Sequence, residues 1–210
     1  MNQVQRLEYA RAVLHKAETA SGLTRVEEQG GWNTPDVLQP VLPSLTPGVL
    51  TVTGSATILL ALAGHASKQG AWTAILGLPW VGWGAATEHG LDLTRTAHIP
   101  HPGSQAANIL TALADGFDII AAGDMNLGIR EERAIAQRVR ARGATILATN
   151  WSTSSGTLRV ENEGAEGYAD GVGHLKRLRF RVSAGMSSVS CLWTGEELVA
   201  TPRALRAVVS

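Results

Sequence analysis

The chain has 210 residues, enough for one large domain with a substantial buried core. A composition of 44% hydrophobic and 17% charged residues excludes a disordered polar chain, and 18 basic residues balanced by 18 acidic ones exclude a broadly basic nucleic-acid coat. Cys191 is the single cysteine, which rules out an internal disulfide framework and a cysteine-rich zinc site and fits a reducing, cytoplasmic setting.

In chain order, the opening "MNQVQRLEYARAVLHKAETASG" carries charges throughout and lacks the apolar centre of a signal peptide. Val4, Leu7, Ala10, Leu14 and Ala17 recur three or four apart, which predicts a helix over residues 1–20 with one apolar stripe. Residues 21–47 hold Pro35, Pro40, Pro43 and Pro47 with Gly22, Gly30 and Gly31, a composition that predicts an extended linker. The longest apolar stretches are too short or too interrupted by Gly and Pro to cross a bilayer of roughly 30 Å, so no membrane partner is expected.

From residue 48 to 150 the pattern is α/β. Apolar, β-prone runs at 49–53, 72–76, 95–99, 117–122 and 144–149 alternate with helical segments, which predicts a mostly parallel sheet flanked by helices. Ile109, Leu110 and Leu113 form one helical face; Ile135 and Val139 form another. Gly116 and Gly143 suit helix stops. After Trp151 the texture turns to glycine, serine and alternating runs, so residues 151–210 are expected to extend the sheet with antiparallel strands. Leu178, Phe180 and Val182 alternate with Arg177, Arg179 and Arg181, placing arginines on one face of a strand.

"TVTGSATILLALAG" at 51–64 begins like a phosphate-binding loop. A working loop curls several backbone amides around the phosphates and supplies a Lys and a Ser or Thr for magnesium. Here a helix follows Gly54, Ser55 and Thr57 at once, and the nearest lysine downstream, Lys68, lies about three turns on, some 18 Å along the axis. The three residues mark a vestigial nucleotide loop or a bare structural turn. The free amides of the helix start leave weak anion or nucleotide binding open.

The order strand, glycine turn, helix at 49–69, followed by "KQGAWTAILGLP", "EHGLDLTRTAHIPHPGSQAANILTALADGFDIIAAG" and "ARGATILATN", resembles the RecA-like ATPase core. More narrowly, with "GVGHLKRLRFRVSAG" near the end, the chain is similar to the actinobacterial ImuA and ImuA′-type proteins, RecA-like accessory proteins of DNA-damage mutagenesis. The likeness spans roughly residues 1–195. It implies a RecA-like fold and a role in a translesion synthesis complex. Against the family's catalytic pattern, "GLPWVGWG" at 77–84 lacks the carboxylate that activates water, and Gly123 stands where a magnesium-organising Asp is expected, with Asp124 one place late. Phosphoryl transfer needs phosphate grip, metal and activated water together. The expectation is therefore a non-enzyme with no cofactor and no metal site. The alternatives are a nucleotide-binding switch with a degenerate loop, or a single-stranded DNA-binding protein.

Residues 151–173 occupy the place of a flexible DNA-contacting loop in recombinases, but Glu161, Glu163, Glu166 and Asp170 oppose phosphate there. Lys176, Arg177, Arg179 and Arg181 form the better cationic candidate, with Trp151 or Tyr168 for base stacking. The same residues also suit an acidic protein partner, or a solvated face guarding a sheet edge. Trp72, Trp80 and Trp83 are expected mainly in the core, or else as an exposed aromatic surface. His89, His98 and His101 match no established ligand spacing, and no Gly-x-Ser-x-Gly elbow is present. "REERAIAQRVRARG" reads as a surface helix with opposite charges three or four apart.

By the same resemblance, Val4, Leu7 and Leu14 are candidates for docking into a second copy, giving a homo-oligomer; folding back onto the same chain is the other reading. Val189, Leu192, Leu198 and Leu205 mark the C-terminal segment as a further contact for a translesion polymerase or polymerase-like protein.

Overall fold

A computed structural model describes residues 31–169 and 172–201. The expected N-terminal helix with Val4, Leu7 and Leu14, and the C-terminal Leu205, lie outside the described residues.

Among the described residues eleven strands form in chain order: β1 (Trp32–Asn33), β2 (Ser44–Leu45), β3 (Gly48–Thr53), β4 (Thr73–Leu76), β5 (Thr96–Ile99), β6 (Ile119–Ala122), β7 (Thr145–Ala148), β8 (Gly156–Ala169), β9 (Val172–Ala184), β10 (Ser187–Trp193) and β11 (Leu198–Ala200). The α-helices among the described residues are α1 (Ala56–Lys68), α2 (Trp83–Glu88), α3 (Ala106–Gly116) and α4 (Ile129–Ala141). Nine strands make one sheet in the order β11-β10-β9-β8-β3-β7-β6-β4-β5. The block from β8 to β5 is parallel, and β9, β10 and β11 continue it antiparallel. This is the mostly parallel α/β sheet with an antiparallel extension that the sequence predicts.

The central strands β4, β6 and β7 are buried on both faces, as their continuous apolar runs require. Because side chains alternate along a strand, Ile75, Ile119, Ala121 and Leu147 pack on one side of the sheet with α1. Ala74, Ile120, Ile146 and Ala148 pack on the other, beneath Leu110 of α3 and Ile135 and Val139 of α4. The result is three layers, helix, sheet and helix, with a core on each face.

Two stretches differ from expectation. Within the predicted linker, residues 31–47 are packed structure: β1 pairs with β2, and Leu38 and Leu45 are buried against the α1 side of the core. Gln69 at the end of α1 ties this segment down by exchanging hydrogen bonds with the Asn33 backbone. The prolines set a kinked path, but the leucines between them supply the apolar cover that α1 needs. Residues 156–169, within the expected flexible loop, form strand β8, paired with β3 on one side and β9 on the other.

A candidate interaction surface at the carboxyl edge of the sheet

In an open parallel sheet ligands gather beyond the carboxyl ends of the strands. Here those ends are Thr53, Leu76, Ile99, Ala122 and Ala148. Their exits bring together the regions of all three RecA-like motifs considered in the sequence.

The first exit is a two-residue turn. Gly54 and Ser55 alone separate β3 from α1. Gly54 has φ +88, and a Cβ placed on it lies 2.0 Å from the Val160 carbonyl oxygen of β8. The glycine is thus demanded by a left-handed turn and by the close approach of a neighbouring strand. Ser55 caps α1: its Oγ accepts from the Ile58 N–H at 3.3 Å, and its carbonyl accepts from the Leu59 N–H at 3.4 Å. Thr57 is half-buried in the first turn, and Lys68 is the last residue of the helix.

The second exit admits no side chain at position 123. A Cβ on Gly123 lies 2.1 Å from the Gly77 carbonyl oxygen and 2.9 Å from Leu78 Cδ2, so the backbone leaving β4 occupies the space of any side chain at 123. Asp124, exposed, accepts from the Asn150 side-chain amide at 3.3 Å. These residues do not fit a magnesium–nucleotide triphosphate: the amide loop is missing, Lys68 is at the wrong end of its helix, and position 123 admits no carboxylate.

Beside these polar residues the edge exposes three large apolar side chains. Trp80 and Trp83 are 58% and 49% exposed in the segment leaving β4, and Ile129, 56% exposed, opens α4 beyond the neighbouring strand β6. Trp83 meets the His98 ring edge-on at 5.4 Å, and His98 Nε2 lies 3.2 Å from the Leu78 carbonyl oxygen. Trp80 and Trp83 are therefore not core residues, because the backbone leaves the sheet at Gly77 before reaching them. Trp72, within the strand run, is half-buried edge-on to Phe117.

The cationic candidates are placed differently from the sequence expectation. Strand β9 lies between β8 and β10, not at an edge. Its arginines face the very glutamates that read in sequence as a separate acidic loop. Arg179 pairs with Glu166 at 2.7 Å, Arg177 with Glu166 at 3.6 Å, and Arg181 with Glu163 at 2.7 Å, across a bulged register. Hydrogen bonding from Arg181, aided by Ser190 and the nearby arginine charges, holds the Glu163 carboxyl below its ordinary range. Glu163 and Glu166 thus offset two of the three arginine charges, while Lys176 near the hairpin end is exposed. Trp151 is 6% exposed and packs in the core beside α4, so it offers no stacking face. Likewise Leu192 and Leu198 are buried and Val189 is packed against the core, covered by the chain itself rather than awaiting a partner.

One buried group has no counterpart among the sequence expectations. Glu132 of α4 accepts from the Ser152 N–H at 3.0 Å and from its hydroxyl at 3.3 Å, anchoring the segment between β7 and β8 to the helix. A Glu in a charged helical run gives no signal of such a role.

Strand order, the glycine turn into α1 and the helices on both faces define a RecA-like fold. The crystal structure of the RadB recombinase superposes with a TM-score of 0.58 and 11% identity, covering 79% of this chain and 97% of that one. The chain belongs to the MT3502 N-terminal domain family, whose model matches residues 40–153. A relative, the uncharacterized protein Rv3395c of Mycobacterium tuberculosis (strain ATCC 25618 / H37Rv), is 35% identical over 153 residues, 70% of this chain and 74% of the relative. No helix among the described residues is long and apolar enough to cross a membrane.

Proposed function

We propose that this chain is a catalytically inactive RecA-like adaptor of ImuA or ImuA′ type, acting through protein contacts in a cytoplasmic DNA-damage-tolerance complex that carries out induced mutagenesis. The observation that carries the proposal is the loss of the phosphate and metal motifs at the carboxyl edge: two residues join β3 to α1, and neighbouring backbone stands where a side chain at 54 or 123 would begin. A phosphate cradle lost at both places leaves neither grip nor metal for hydrolysis. The exposed Trp80, Trp83 and Ile129 at the same edge suit a protein partner, since tryptophans seated in a partner's pocket contribute disproportionately to binding. The partner proposed is a translesion polymerase or polymerase-like protein. A homo-oligomeric form held by residues 1–20 belongs to the same proposal.

A nucleotide-gated switch draws no support from this edge, and single-stranded DNA binding at β9 is disfavoured by the glutamates already paired to its arginines. The test is a pull-down of purified damage-induced polymerase components by the full chain, repeated with Trp80→Ala/Trp83→Ala and with residues 1–20 removed. Retention by the full chain and loss in the tryptophan variant support the proposal. Equal retention by both rejects the tryptophan surface, and no retention rejects the adaptor.

A further inference from the structure

Helix α4 carries four arginines, Arg130, Arg133, Arg138 and Arg140, with Arg142 just beyond, and only two glutamates. In sequence the charges look self-cancelling. In the structure both glutamates are engaged elsewhere: Glu131 accepts from the Gly128 N–H at 2.8 Å, and Glu132 is buried against Ser152. Arg138 and Arg142 turn to α3, where both bind Asp115. Arg130, Arg133 and Arg140 form no ion pair with any described residue, and all three are exposed.

At 3.6 residues per turn, Arg130, Arg133, Gln137 and Arg140 fall within an arc of about 80° and extend about 15 Å along the helix. That length matches about four steps of one strand of a duplex, at the rise of 3.4 Å per nucleotide. We propose that this outer stripe of α4 is a docking surface for the phosphate backbone of a nucleic acid. Arginine is the side chain best suited to such a contact, because its fork bonds two phosphate oxygens at once and it is more weakly hydrated than lysine. The stripe holds arginine and no lysine. Its electrostatics also contrast with β9, where three arginines share Glu163 and Glu166, whereas the three arginines of the α4 stripe have no carboxylate partner among the described residues. Contact here reads no bases; it positions the chain on nucleic acid of any sequence. The proposal stands independently of the adaptor role, because it uses neither the tryptophans nor the carboxyl edge of the sheet.

The experiment is fluorescence anisotropy of the full chain with labelled mixed-sequence oligonucleotides, single- and double-stranded, between roughly 50 and 200 mM salt, where counterion release governs the affinity. Wild type is expected to bind with affinity falling as salt rises. Arg130→Gln/Arg133→Gln/Arg140→Gln should lose at least about tenfold in affinity and flatten the log–log salt slope by roughly two to three. The corresponding triple Lys variant should keep most of the slope, and Arg133→Gln alone should flatten it by nearly one, which guards against a folding defect in the triple variant. The two oligonucleotides distinguish strand from duplex. Unchanged binding by the Gln variants, no binding by wild type, or tighter binding to polyglutamate than to either oligonucleotide overturns the proposal, the last in favour of an acidic protein partner.

Discussion

The carbonyl oxygen of Val160 lies 2.0 Å from where a side chain on Gly54 would begin, so strand β8 leaves room for no residue but glycine at the turn from β3 into α1. The close approach is a packing constraint. Gly54→Ala adds a methyl group against immovable backbone and holds alanine at φ +88, and is expected to cost about 3 kcal/mol. Urea denaturation measures this through the midpoint at unchanged m-value. A loss below about 1 kcal/mol would mean that β8 yields, and that the turn is less tightly packed than described.

Titration calorimetry with ATP or ADP and magnesium is expected to show no saturable heat at micromolar concentrations. Ser55 already satisfies the Ile58 amide that would point at a phosphate, and Lys68 lies at the other end of α1. Micromolar binding would revive the nucleotide switch and return Gly54, Ser55 and Thr57 to a functional role.

The Glu163 carboxyl should titrate below the ordinary glutamate value because Arg181 donates to its ionised form. Since the folded-state value is lowered, the contribution of this pair is present above the unfolded value of about 4.3 and is lost as pH falls through the folded one. Carbon-13 NMR of the side-chain carboxyl follows the midpoint directly. Arg181→Gln should raise it; an unmoved midpoint would mean that the ion pair is not formed in solution.

Much of the fold is legible in the sequence because burial leaves a simple trace. The apolar runs at 49–53, 72–76, 95–99, 117–122 and 144–149 correspond to β3 to β7 with shifts of a residue or two at their ends. Leu110, Leu113, Ile135 and Val139 face the sheet as their spacing requires. Pairing across distance leaves no such trace. Nothing local joins Glu166 to Arg179, so one hairpin reads as an acidic loop and a basic strand. Gly54 and Gly123 look like lost motif residues, and only the positions of Val160 and Gly77 show why glycine is required there. Trp80, Trp83 and Trp151 show the limit most plainly: the first two are exposed and the third is buried, because strand exits rather than side-chain type decide their surroundings.

The central claim, that the carboxyl edge holds a protein rather than a nucleotide, is tested most directly by titration calorimetry of the full chain with a purified translesion polymerase component, for wild type and for Trp80→Ala/Trp83→Ala. Saturable binding by wild type, weakened at least about tenfold in the variant, is the predicted result, since truncating a tryptophan anchor typically costs about 2 kcal/mol or more, roughly thirtyfold. Equal affinity of the two chains, or no binding by wild type, would contradict it.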